Sequence, residues 1–187
     1  MSGSGTADVA TGSAPIRPIL ANSCARATSA AEARFRIDMP IVGRRAARVI
    51  ALDDGAAGVL QDVAGMPWNG AHFYTLAGTE ADTGDLDDLL GRIELRGIGG
   101  SDDSLIDALR GADVAVMVAT AGGNASVAAV IGYACFLDGI MTAGLILDDD
   151  GGGQLGPTVT ALRPHARVIL VTSDAQDIAE VLIALRA

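Results

Sequence analysis

Three stretches limit most strongly what this chain can fold into: "DVAVMVAT" (113–120), "IMTAGLIL" (140–147) and "ARVILVTS" (166–173). Each is an apolar run of strand length with little polar alternation, so a strand built from it buries both of its faces. Helical stretches at 125–138 and 154–164 separate the runs, and another at 174–187 follows the last. Parallel strands need a crossover, and a crossover helix covers the face it crosses.

The upstream half continues the pattern. "ARVIALDDG" (47–55) and "AHFYTLAG" (71–78) read as strands around a helix at 56–65 that Gly65 ends, and "RIELRG" (92–97) as a shorter strand. "SDDSLIDALRGA" (101–112) reads as one helix capped by Ser101 or Asp102. The predicted fold class is α/β: a three-layer α/β/α sandwich with a mostly parallel, Rossmann-like sheet over residues 46–187. Val116, Val118, Val168 and Leu170 are expected to share its core. Residues 1–45, rich in Ser, Gly, Ala and Thr and interrupted by Pro15, Pro18 and Pro40, predict a flexible N-terminal tail.

The 187 residues suit one domain of ordinary size, and with three Phe, two Tyr and one Trp its core must be aliphatic. Thirteen basic against 23 acidic side chains leave a formal charge of −10, which repels phosphate backbones and anionic lipid. Nucleic acid and membrane surfaces are thus excluded as expected partners, and no apolar run reaches the roughly 18 residues that span a bilayer. Cys24 lies in the polar tail and Cys135 in an apolar helix; with only His72 and His165 besides, a zinc site of common spacing lacks ligands. His72 suits a packing role within a strand, and His165 an exposed turn after Pro164. A cytoplasmic location is expected.

In such a sheet, ligands bind beyond the carboxyl ends of the strands, where helix N-termini present free N–H groups. The turns that qualify are "DDGAAG" (53–58), "AGTEAD" (77–82), "TAGGNAS" (120–126), "LDDDGGG" (147–153) and "TSDAQD" (172–177). "TAGGNAS" is the leading candidate: Gly122 and Gly123 let backbone approach a ligand, and Asn124 or Ser126 can cap the next helix. A strand-to-helix turn that needs its glycines only for dihedral angles is the competing reading. At "DDGAAG", Asp53, Asp54 and Gly55 would meet a phosphate only through a cation. The chain has no GxGxxG, no GxxxxGK[ST] and no lysine. The carboxylates of "DDDGGG" suit a solvated loop better than a Mg²⁺ or Ca²⁺ site.

The order of these pieces resembles the nucleotide-binding domain of the FtsZ/tubulin family. "ARVIALDDGAAGVLQDV" is similar to that family's first strand, glycine loop and helix, and "AHFYTLAGTEAD" to its second strand and ribose-side turn. "SLIDALRGADVAVMVATAGGNASVAAVIG" resembles its helix, its "GAD" entry to a central strand, and its phosphate loop. The resemblance implies GTP or another nucleotide as ligand, held at Gly122, Gly123, Asn124 and Ser126. Where the family's phosphate loop reads GGGTGTG, however, this chain has "AGGNASV". The sequence also stops where the family's long central helix and acidic catalytic loop would begin, so no GTP hydrolysis is expected.

These readings converge on a non-catalytic binding or regulatory module for a small anionic ligand or a protein partner. The alternative is a nucleotide-binding protein or enzyme with its phosphate site at 120–126. Small residues in "ASVAAVIGYA" leave a homo-oligomer open, although a helix packed in the core explains them more simply.

Overall fold

The structure, a computed structural model, describes residues 46–78, 84–148, 151 and 154–185. Seven strands form one open sheet: β1 (Ala47–Ala51), β2 (His72–Leu76), β3 (Glu94–Gly97), β4 (Asp102–Ser104), β5 (Val114–Thr120), β6 (Met141–Leu147) and β7 (Val168–Thr172). Their order is β4-β3-β2-β1-β5-β6-β7. β2, β1, β5, β6 and β7 pair in parallel, whereas β3 runs antiparallel to both β2 and β4.

Six helices are described: α1 (Asp54–Ala64), α2 (Leu86–Leu90), α3 (Leu105–Leu109), α4 (Ala128–Leu137), α5 (Leu155–Leu162) and α6 (Ala175–Ala184). They cover both faces. On one, Ile50, Met117 and Ile146 pack against Leu89, Leu105, Ile131 and Leu162 of α2, α3, α4 and α5. On the other, Val49, Val116, Val118 and Leu145 pack against Leu60 of α1 and Ile178 and Leu182 of α6. The α/β/α sandwich is therefore present, its core almost wholly aliphatic.

Two expectations are corrected. Residues 101–112 are not one helix: Asp102–Ser104 form β4, and α3 starts only at Leu105, its N–H at Asp107 donating to the Ser104 hydroxyl. The Gly99–Gly100 turn folds 102–104 back onto β3, where pairing from Glu94↔Ser104 to Arg96↔Asp102 outweighs helix propensity. Nor do the four named residues share a core. Val116 and Val118 are fully buried, but Val168 is 65% and Leu170 39% exposed. β7 is the sheet's edge, and α6 turns back over the β1 and β5 region instead of covering it.

Candidate functional site

The chain leaves β1 toward β2 and leaves β5 toward β6, in opposite directions across the sheet. The carboxyl ends of β1 and β5 thus flank the topological switch point, the crevice where open α/β sheets take ligands.

Asp53 fills this crevice. Its backbone is extended (φ −143°, ψ 169°), and it caps α1 by accepting from the Ala56 N–H at 2.9 Å through Oδ1. The same carboxylate reaches across to β5, where Oδ2 accepts from the Thr120 N–H at 2.8 Å and Oδ1 from the Thr120 hydroxyl at 3.1 Å. Three donors and the positive end of the α1 dipole therefore converge on one carboxylate. Phosphates occupy such places in nucleotide-binding sheets.

The glycines are shaped to this carboxylate. A Cβ at Gly123 would lie 2.2 Å from Asp53 Oδ2 and 2.7 Å from Thr120 Oγ1. A Cβ at Gly55 would lie 2.6 Å from Thr120 Cγ2. Gly122 is needed for a second reason, its φ of +81°, a conformation that L side chains rarely adopt.

The N–H groups of residues 121–123 are used internally. Ala121 donates to the Leu147 carbonyl, Gly123 to the Thr120 carbonyl, and Gly122 to the Thr158 hydroxyl at 3.1 Å. Thr158 Oγ1 donates in turn to the Thr120 carbonyl at 3.2 Å. Thr158 lies on α5 and is 1% exposed, so its hydroxyl needs both of these partners.

The structure brings Asp53, Gly55, Gly122 and Gly123 together around Thr120. It leaves Asp54, Asn124 and Ser126 exposed at the rim. Asp54 and Gly55 belong to the first turn of α1, where a loop was expected. Asn124 and Ser126 do not cap the next helix: α4 starts after Val127 with no side-chain cap, and Asn124 Oδ1 instead accepts from the Ser126 N–H at 3.1 Å, an Asx turn. Sequence reasoning missed Thr120 as the partner of Asp53 and Thr158 as the brace of the turn. Thr120 stands beside the glycines and was open to inspection, whereas nothing near Thr158 connects it to a turn 36 residues away.

Among the described residues, two of the clefts elsewhere lie near the amino ends of the strands. One, of about 720 Å³, is bordered by Trp68, His72, Tyr74 and the Gly97–Ser101 turn. The other, of about 580 Å³, is bordered by Tyr133, Cys135, His165 and Arg167. Burial pushes the Cys135 thiol up to about 12, with the Asp138 carboxylate adding to the effect, so it is not a thiolate nucleophile at neutral pH. His165 is half-buried rather than exposed because it packs on Gly132, where a Cβ would lie 2.5 Å from its own Cβ. Burial lowers its pKa below the ordinary 6.5. Tyr133 donates to Asp87 Oδ1 at 3.0 Å, and that bond raises the phenol pKa. Among the described residues no three His, Cys, Asp or Glu side chains form a metal cluster, and no helix is long and apolar enough to cross a membrane. Most of "AGTEAD" and "LDDDGGG", and Cys24, fall outside the described residues.

No protein-family model and no curated protein matches the chain.

Proposed function

We propose that this chain is a non-catalytic binding or regulatory module whose switch-point crevice is closed by its own carboxylate. The observation that carries the reading is Asp53, which meets Thr120 and the α1 N-terminus with the hydrogen bonds a phosphate would take. An incoming phosphate would have to displace a carboxylate held by three donors, and its own charge opposes that approach. The surrounding charge argues the same way, since Asp148 follows β6 and Asp174 follows β7 at this end of the sheet. Of the two ligand classes, a protein partner fits this acidic edge better than a small anion, and a cytoplasmic location suits such a module.

The alternative is the FtsZ-like reading, nucleotide binding at 120–126. One observation favours it: among the described residues no acceptor is bonded to the N–H groups of Asn124 and Ala125, just beyond Gly123. Calorimetric titration with GTP, GDP, ATP and NAD(P)H, with and without Mg²⁺, separates the readings. We expect no heat of binding at millimolar ligand. Saturable binding that Gly123→Val abolishes in a folded protein would overturn the proposal and put a nucleotide at the turn.

A further inference from the structure

We infer that β7 is a self-pairing edge, through which two copies of this chain join antiparallel into one continuous sheet. The inference is independent of what the switch point binds. The two edges of the sheet, β4 and β7, differ in character. β4 is three residues long, begins with Asp102 and Asp103, and ties Arg96 to Asp102 at 3.2 Å, all features that blunt an edge against pairing. β7, Val-Ile-Leu-Val-Thr, has no charge, proline or glycine. Val168, Leu170 and Val171 stand 65%, 39% and 42% exposed, and among the described residues no strand pairs with the outer side of β7. Such an edge calls for an occupant.

The ladder decides the register. The Thr172 carbonyl accepts from the Asp148 N–H at 2.9 Å, so Thr172 points its backbone groups toward β6. Alternation then makes Leu170 and Val168 do the same and turns the N–H and C=O groups of Ile169 and Val171 outward. An isologous antiparallel pair uses these outward groups when Ile169 of one copy faces Val171 of the other. Leu170 then meets its own copy on the two-fold axis, and Val168 faces Thr172.

Charge favours this partner and this direction. Arg167 precedes the strand and has no ion pair among the described residues, and Asp174 follows it in extended conformation (φ −126°, ψ 129°). Antiparallel self-pairing sets Arg167 of each copy beside the Ser173–Asp174 segment of the other, at both ends of an uncharged centre. Parallel pairing would set like charges together. An edge this short buries less than a standard interface, so the association belongs in the micromolar range.

The test is sedimentation of the full chain over a dilution series, with two variants that leave the β6 ladder intact. Val171→Pro removes only an outward N–H, and Val168→Lys places a charge on an exposed position. We expect the unmodified chain to be a dimer that dissociates on dilution, and both variants to be monomers that still unfold cooperatively. Leu170→Cys in a Cys24→Ser background reads the register. A non-hydrogen-bonded antiparallel pair holds its Cα atoms about 4.5 Å apart, within disulfide reach, so mild oxidation should give a covalent dimer. Val168→Cys, facing Thr172, should not. The inference is overturned by an unmodified chain that stays monomeric throughout the series, by a dimer that survives both edge variants, or by cross-linking of Val168→Cys in preference to Leu170→Cys.

Discussion

Two glycines of this chain show how the same residue answers to different forces. At Gly123 the backbone φ is ordinary, and the side chain is excluded by the Asp53 carboxylate, 2.2 Å from where a Cβ would stand. Gly123→Ala must push that carboxylate off Thr120, and we expect a loss of about 1–3 kcal/mol, measured by urea unfolding. Gly58 lies on the exposed side of α1 with nothing within 4 Å of its Cβ position. There the helix gains and the unfolded chain loses freedom, so Gly58→Ala should stabilise by about 0.5–1 kcal/mol in the same assay. His165 supplies a pH test. Its folded-state pKa lies below the ordinary 6.5, so the unfolded chain binds the proton more readily. The contribution is fully present above 6.5 and is lost as pH falls from there through the lower folded value. His165→Gln should make stability less dependent on pH in that window, as chemical denaturation at stepped pH would reveal.

Among the elements, α5 and β5 are coupled through one hydroxyl. Thr158 accepts from Gly122 and donates to Thr120, fixing the turn that leads from β5 toward α4. Thr158→Val keeps the shape and removes both bonds, and we expect a cost of about 1–2 kcal/mol, with faster amide exchange at Gly122 as the local signature. Unchanged exchange at Gly122 would mean that the hydroxyl does not hold the turn. The coupling of β1 to β5 through Asp53 is broader, because one side chain caps α1 and binds the neighbouring strand. Helix capping and strand pairing at the switch point therefore stand or fall together.

For the whole molecule, the decisive quantity is the depth of the central strands. Every residue from Val114 to Ala119 is buried, and Val116 is flanked by Val49 on β1 and Ala143 on β6. Val116→Asp places a carboxylate with no partner at the centre of one face, and the cost, about several kcal/mol, is comparable to the entire margin of a domain. We expect no cooperative transition in thermal unfolding of that variant, whereas Val168→Asp, at the edge, should unfold cooperatively. The described residues belong to one compact unit, and a chain starting at Gly43 should fold on its own with a sharp unfolding transition.

The sequence by itself determined the α/β class, the parallel centre of the sheet and the aliphatic core, because these follow from runs such as "DVAVMVAT" whose apolar character holds wherever the strand lands. It also pointed to the turn at 120–126, since paired glycines after a strand mark a place where backbone comes close to something. Only the tertiary structure decided what that something is. Asp53 and Thr120 stand 67 positions apart and meet because β1 and β5 are neighbours, a fact of strand order that no local pattern records. The same holds for β7, as apolar as β5 in sequence yet exposed, and for 102–104, drawn from a helix into the sheet by a partner strand. Burial and pairing depend on what lies alongside, and periodicity reports only what each segment offers to its neighbours.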